Sequence, residues 1–531
     1  MLFNSNAFVF AFLPLCLVGF YVVGKINKRP LSVLYLIVAS LFFYAWWDPR
    51  YVALLALSIF VNYVVGRRVG RDAPVEARLQ AGLRKEGFGP SQRGQRSRSA
   101  AGAWSEQRDK KILLLGIAVN LGLLGYFKYA NFFVGNVNAA TGADFTLAPI
   151  VLPIAISFFT FQQIAYLMDS YRHGGHEYSL LDYTLFVSFF PQLIAGPIVH
   201  HSEILPQLMS KSFGRIKAID LAVGLSIFSI GLFKKVILAD SVAVYVSPVF
   251  LAAGAGTDLT MMDAWVGALA FTLQLYFDFS GYADMAIGLG RMFGIRLPLN
   301  FYSPYKATSI IDFWRRWHIT LSRFLRIYLY IPLGGNRKGP RRRYFYLMVT
   351  MLLGGLWHGA GWTFIIWGGL HGAFLVINHS WRARTGWHND ERTGSLPIRW
   401  ASRVVTFAAV VVAWVVFRAE SMSEAWGVLR AMAGLDGVQT EGQLTAVLDG
   451  AGEPIALILA LIMVVWCTPN TYEIMSRYRP ALDSFGIASA QRSARGLLWR
   501  PTVIWALALG IATALSIGFL ARTTAFLYYR F

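Results

Sequence analysis

The stretch whose reading decides the fold runs from Asp312 to Gly372. It opens Asp312-Phe313-Trp314-Arg315-Arg316-Trp317-His318 and passes Leu333-Gly334-Gly335-Asn336-Arg337-Lys338. After an apolar run it reaches Gly354-Gly355-Leu356-Trp357-His358-Gly359-Ala360-Gly361, and it closes on Gly369-Leu370-His371-Gly372. His318 and His358 each follow a tryptophan, in segments otherwise fit for lipid. Charge and imidazole at membrane depth are costly, so such residues are functional candidates by default. The first part, through Ile331, carries Asp312, Arg315, Arg316, Arg323 and Arg326. It is amphipathic and too charged to span alone, which predicts an interfacial or re-entrant helix against a cavity wall. Asp312 and Arg316 stand four apart, a favourable helical pair.

Outward from this stretch the chain is apolar. Of its 531 residues 56% are hydrophobic, with 17 Trp, 24 Tyr and 39 Phe. Runs long enough to cross hydrocarbon, about 17 to 25 residues, recur from end to end. They are continuous rather than alternating, which excludes a β-barrel. No polar region reaches the size of a soluble domain. The expectation is an all-α, polytopic transmembrane protein forming a single membrane domain over residues 1–531, with about eleven spans plus one or two re-entrant pieces. The first apolar run, Phe8 to Val23, lacks a basic leader and a small-residue cleavage site and reads as a retained helix. No internal repeat is visible, which weighs against inverted-repeat transporters.

The formal charge is +21. In such a chain basic residues set topology and touch anionic lipid heads, so nucleic acid is not the expected partner; the bilayer is. The densest basic segment, Arg67 to Lys111, reads as a solvated cytoplasmic loop, and with three spans before it the N-terminus falls outside. Cys16 and Cys467 both lie in apolar runs and imply neither a disulfide framework nor a cysteine metal site.

Several spans are marked by polar residues. Ile150 to Met168 holds Ser157, Thr160, Gln162 and Gln163, which need partners inside protein or a wet cavity. Leu180 to Ile198 contains Pro191, Gly196 and Pro197 and reads as broken or re-entrant. Trp265 to Met292 holds Asp278 and Asp284, expensive unless paired. Either they pair with Arg315 or Arg316, or they take a direct part in the chemistry, Asp278 as a substrate-binding residue.

Of the nine histidines, most read as solvated or interfacial rings at loops and span ends. His358 stands apart, because the glycines around it let backbone approach a ligand or let the helix end. Imidazole titrates near neutral pH and can take a proton from a hydroxyl; the alternative is a structural histidine bonded to a facing helix. The sequence has no His-Glu-x-x-His helix, phosphate loop, Gly-x-Ser-x-Gly elbow or dinucleotide glycine pattern. A lone base acting on a bound substrate hydroxyl fits what remains, with Lys and Arg rows to meet an anionic donor.

The chain resembles the membrane-bound O-acyltransferase (MBOAT) family, and within it the bacterial branch that O-acetylates alginate and related polymers. The resemblance is carried by Leu41 to Pro49, Ser157 to Gln162, Phe190 to Pro197, Tyr276 to Ala286, Phe313 to His318, Leu356 to Gly359 and the ending Phe526 to Phe531. It implies a helical ring around a central tunnel in the bacterial inner membrane. It also implies a cytoplasmic thioester donor, acetyl-CoA, as substrate rather than a bound cofactor, and a polysaccharide acceptor outside, with alginate ahead of cellulose and peptidoglycan. A periplasmic or membrane-anchored acetyltransferase partner is expected as well. The family's motif histidines fall on His358 and His318. His358 is then the general base, kept neutral by burial, and His318 orients the substrate or His358. Trp314, Trp317 and Trp357 line the donor site, and Arg315 and Arg316 hold its phosphates. The glycines around His358 leave room for donor and acceptor, and a histidine on a tunnel wall supplies little packing. Two other classes of protein remain open, a non-catalytic acyl or glycan transporter and an inert assembly scaffold.

Overall fold

The computed structural model describes residues 1–69, 100–148, 150–173, 178–194, 196–210, 212–215, 217–386, 395–436, 452–482, 494, 496–522 and 527. Most of the basic segment expected as a loop, and most of the C-terminal motif, lie outside these. Among the described residues the structure is helical, with no strand and a single bridge between Pro298 and Leu482. Among the described residues five helices have the length and apolarity to cross a membrane: Ala7–Lys25, Arg50–Arg68, Gln107–Thr141, Ala218–Ala243 and Leu396–Arg418. Arg29–Ala45, Gly452–Cys467 and Val503–Gly518 are apolar and shorter. The Met261–Met292 helix has 32 residues, about 48 Å at the usual rise. The helix assigned to the fourth span begins at Ala100, so Ala100 to Lys111 is helical rather than loop.

The chain forms two compact units. The first comprises Met1, Leu15–Ile194 and Ile198–Ile216. Several of its buried polar residues are bonded across helices, as hydrocarbon surroundings favour. Asn62 and Asn120 exchange amide hydrogen bonds of 3.2 and 2.7 Å. Gln163 donates to Ser58 Oγ at 3.0 Å, and Gln162 donates to the Phe186 carbonyl at 2.9 Å. The proline-rich segment is broken as expected. Leu180–Ser188 stops at Phe189, and the chain resumes for one turn at Phe190–Leu193. The Phe190 N–H freed by this break donates to Ser40 Oγ at 3.1 Å, which removes the cost of an orphan donor.

The second unit comprises Leu2–Pro14, Ala195–Pro197 and Lys217–Phe531. Its axis is the Met261–Met292 helix, started by a Thr260 capping box with Asp263 and buried along nearly its whole length. Ala218–Phe233 packs against it through two glycine pairs. A Cβ on Gly231 would lie 2.6 Å from the Gly281 carbonyl oxygen, and one on Gly224 would lie 2.6 Å from that of Gly288. Only glycine permits so close an approach of the two backbones. Ala218–Phe233 runs on into a π-helical turn, Lys234–Ala239. There Lys235 reaches Asp278 at 2.7 Å and Asp240 at 2.8 Å, and Lys234 reaches Asp284 at 2.6 Å. Thr471 and Tyr472 hydroxyls also donate to Asp284. The buried aspartates are therefore paired with lysines of the preceding helix, not with Arg315 or Arg316. The sequence reading failed here because Lys234 and Lys235 look like charges at the end of a span.

Candidate functional site

The segment from Ile310 to Ile331, expected as one amphipathic helix, is a succession of short ones. Ser309 caps Ile310–Arg316 by accepting the Asp312 N–H. The helix then stops at Trp317, and Ile319–Leu325 begins afresh. Between them His318 has φ 42° and ψ 53°, a left-handed conformation that a side chain rarely adopts. It is held by the segment before it: the Tyr302 N–H donates to the Arg316 carbonyl and the Ile319 N–H to the Asn300 carbonyl, each at 2.9 Å. Strain maintained by such contacts points to a use for the residue that bears it.

His358 is the last residue of the Pro340–His358 helix, which ends where Gly359 turns extended. The imidazoles of His318 and His358 lie with ring centroids 6.3 Å apart. Around His358 stand Trp357 at 4.9 Å, Trp367 at 5.0 Å and Phe417 at 5.5 Å. Around His318 stand Phe279 at 5.0 Å and Trp357 at 6.2 Å. Trp317 continues the wall, 4.9 Å from Trp414, and Trp314 lies 5.9 Å from Trp367. Five of the residues singled out in the sequence, His318, His358, Trp314, Trp317 and Trp357, thus fall in one aromatic cluster.

The other three do not join it. Arg315 is exposed. Arg316 Nε donates to both carboxylate oxygens of Asp312 at 3.0 Å, the pair its spacing suggested. Asp278 is engaged with Lys235 and accepts the Leu527 N–H at 3.2 Å; its neighbour Phe279, not the carboxylate, meets His318.

Two expectations about His358 are corrected. Gly355 and Gly359 make room for protein rather than for a ligand. A Cβ on Gly355 would meet the Phe364 carbonyl at 2.2 Å, and one on Gly359 would meet the Phe364 ring at 2.2 Å. They let the Trp362–Thr385 helix close down on the histidine. His358 is also 5% exposed and packed by rings, so truncating it would leave a hole.

Sequence reasoning missed two residues. His371 sits in the middle of the Trp362–Thr385 helix, fully buried. Its Nδ1 accepts from Trp314 Nε1–H at 3.3 Å, and Phe313 stacks on it. Its place inside an apolar helix was the available signal. Asn300 is buried, with its side-chain oxygen 3.1 Å from His318 Nδ1. Nothing in Leu299-Asn300-Phe301-Tyr302-Ser303-Pro304 separates it from an ordinary turn asparagine.

With this geometry in view, comparison with known proteins gives the chain its family. Residues 111–413 match MBOAT, the membrane-bound O-acyltransferase family. The chain is similar to a peptidoglycan O-acetyltransferase of Helicobacter pylori, 45% identical over 465 residues, 82% of this chain and 81% of that protein. It is similar to a probable alginate O-acetylase AlgI of Pseudomonas putida, 40% identical over 540 residues that cover all of both chains. A teichoic acid D-alanyltransferase of Bacillus subtilis matches more distantly, 26% identical over 280 residues, 50% of this chain and 68% of its own length. An all-helical chain with several membrane-crossing helices, matched over more than half its length, therefore belongs to the membrane-bound O-acyltransferase family and is a multi-pass membrane O-acyltransferase.

Proposed function

We propose that this enzyme transfers an acetyl group from acetyl-CoA, taken from the cytoplasm, to hydroxyls of an exopolysaccharide outside the bacterial inner membrane. Alginate is the leading acceptor, reached directly or through a periplasmic acetyltransferase partner. The observation that carries the reading is the pair of imidazoles at 6.3 Å inside the aromatic cluster. Relatives named as a probable alginate O-acetylase and a peptidoglycan O-acetyltransferase support the class of acceptor.

In this mechanism His358 takes the proton of the acceptor hydroxyl as its oxygen attacks the thioester carbonyl. A C–O bond forms, the C–S bond breaks, and the imidazolium returns the proton to the departing thiolate. A positioned base of this kind contributes about 10²–10⁴-fold. The thioester is already activated, so the step needs no covalent enzyme intermediate. His318 holds the nucleophile or His358 in line. Trp314, Trp317 and Trp357 give the donor an apolar wall, and Arg315, exposed, is free to meet its phosphates. Arg316 serves through Asp312 rather than through a phosphate. The basic segment Arg67 to Lys111 faces the cytoplasm, where the donor is.

Peptidoglycan is the second reading, favoured by the 45% identity to the Helicobacter pylori protein. Labelled acetyl-CoA given to membranes holding the enzyme, with alginate, cellulose or peptidoglycan as acceptor, separates the readings. Label moving to alginate is expected. Label moving to peptidoglycan alone selects the second reading, and no transfer to any polymer in the presence of the periplasmic partner overturns both.

A further inference from the structure

Asn300 is fully buried, and three donors converge on its side-chain oxygen. His318 Nδ1 lies 3.1 Å from Oδ1, Thr320 Oγ1 lies at 3.0 Å, and the Thr320 backbone N–H lies at 3.4 Å. A backbone N–H can only donate, so the amide atom facing it is the oxygen rather than the nitrogen. An amide oxygen can only accept. The imidazole nitrogen that shares it must therefore carry the proton, and in a neutral ring the other nitrogen, Nε2, then holds the lone pair.

We propose that Asn300 is a positioning residue for the transfer reaction: it locks His318 in the Nδ1–H tautomer, so that Nε2 serves as a hydrogen-bond acceptor that orients His358 or a second hydroxyl of the acceptor, the one proton of the attacking hydroxyl going to His358. This rests on the reading that His318 serves the reaction. It narrows that reading, because a neutral His318 in this tautomer cannot donate from Nε2 to a thioester carbonyl or to the oxyanion formed from it. The same residue fixes the backbone. The Asn300 carbonyl accepts the Ile319 N–H, which holds the left-handed turn at His318 open. The side chain sets the ring's proton while the main chain sets its direction. A third group that orients a base and fixes its tautomer is a common arrangement where imidazole does proton chemistry.

The test uses Asn300→Leu, which keeps volume and removes the acceptor, and Asn300→Asp, which keeps the acceptor and adds charge. Each full-length variant is compared with the parent protein in membranes, with acetyl-CoA as donor. The readouts are kcat, donor KM, the pH profile of kcat and the melting temperature of the protein in detergent. Asn300→Leu is expected to lower kcat by about 10²-fold or more with donor KM unchanged. Asn300→Asp is expected to keep activity at high pH and to move the acid limb upward by about one unit or more. A carboxylate beside the ring favours imidazolium, so more alkaline solution is needed to obtain the neutral form. A structural role alone would not move that limb. Asn300→Leu at parental kcat overturns the proposal, as does a folded Asn300→Asp that loses as much as Asn300→Leu at every pH. A parent protein that transfers nothing from acetyl-CoA would instead defeat the donor assignment, and this is seen before any variant is compared.

Discussion

Polar groups in the Lys217–Phe531 unit are buried in two ways. Along the Met261–Met292 helix, Lys234 and Lys235 meet Asp284 and Asp278 as ion pairs, with Asp240, Thr471 and Tyr472 closing the network. In the cluster around His358, imidazoles stand among tryptophan and phenylalanine rings. The first arrangement cancels charge and holds helices in register, and it gives a substrate nothing to use. The second keeps imidazoles, which can give or take a proton, among rings that carry no charge. The two meet on one helix at adjacent residues, since Asp278 joins the ion pairs and Phe279 packs on His318. The ionic layer is thus scaffold, and the aromatic layer is the candidate site.

Substitutions should divide along that line. Lys235→Met leaves Asp278 and Asp240 without their shared counter-charge, and stranding a buried charge costs about 3–5 kcal/mol. The expected result is little protein in the membrane fraction by immunoblot, with the activity per surviving molecule unchanged. Normal protein levels would show that the pairs do not support the fold. Gly231→Ala sets a methyl group 2.6 Å from the Gly281 carbonyl oxygen and should cost about 1–3 kcal/mol, read as a lower melting temperature in detergent. An unchanged melt would mean that the two helices are not held together as closely as described. Trp314→Phe keeps a ring against Trp367 and loses the bond to His371, worth about 0.5–1.5 kcal/mol. A small drop in melting temperature is expected with donor KM little changed, since phenylalanine keeps the apolar wall; an unchanged melting temperature would show that the bond to His371 contributes nothing to the fold.

The helical character of the chain was legible because long apolar runs have few alternatives in a bilayer. The Asp312–Arg316 pair was legible because it is local, set by the helical repeat alone. The lysine–aspartate pairs join Lys234 and Lys235 to residues more than forty positions away, and no local pattern encodes that register. His318 and His358 were found through their tryptophans. Their environment was misjudged because glycine beside a histidine reads the same whether it admits a ligand or, as with Gly355 and Gly359, a second helix. The tautomers were beyond the sequence altogether. His318 donates from Nδ1 to Asn300, whereas His371 accepts at Nδ1 from Trp314. Two histidines of like burial are thus left with opposite protons by neighbours from other parts of the chain.

The claim that the aromatic cluster, and His358 in it, performs the transfer is tested most directly by replacing that ring with a group that fills its space and cannot take a proton. His358→Gln does so with less disturbance than alanine, given the rings packed on it. The measurement is the acetyl content of the secreted polysaccharide in cells carrying the variant, with the membrane level of the protein determined beside it. Acetylation should fall by about 10²-fold or more at an unchanged protein level. Normal acetylation at a normal protein level would contradict the account.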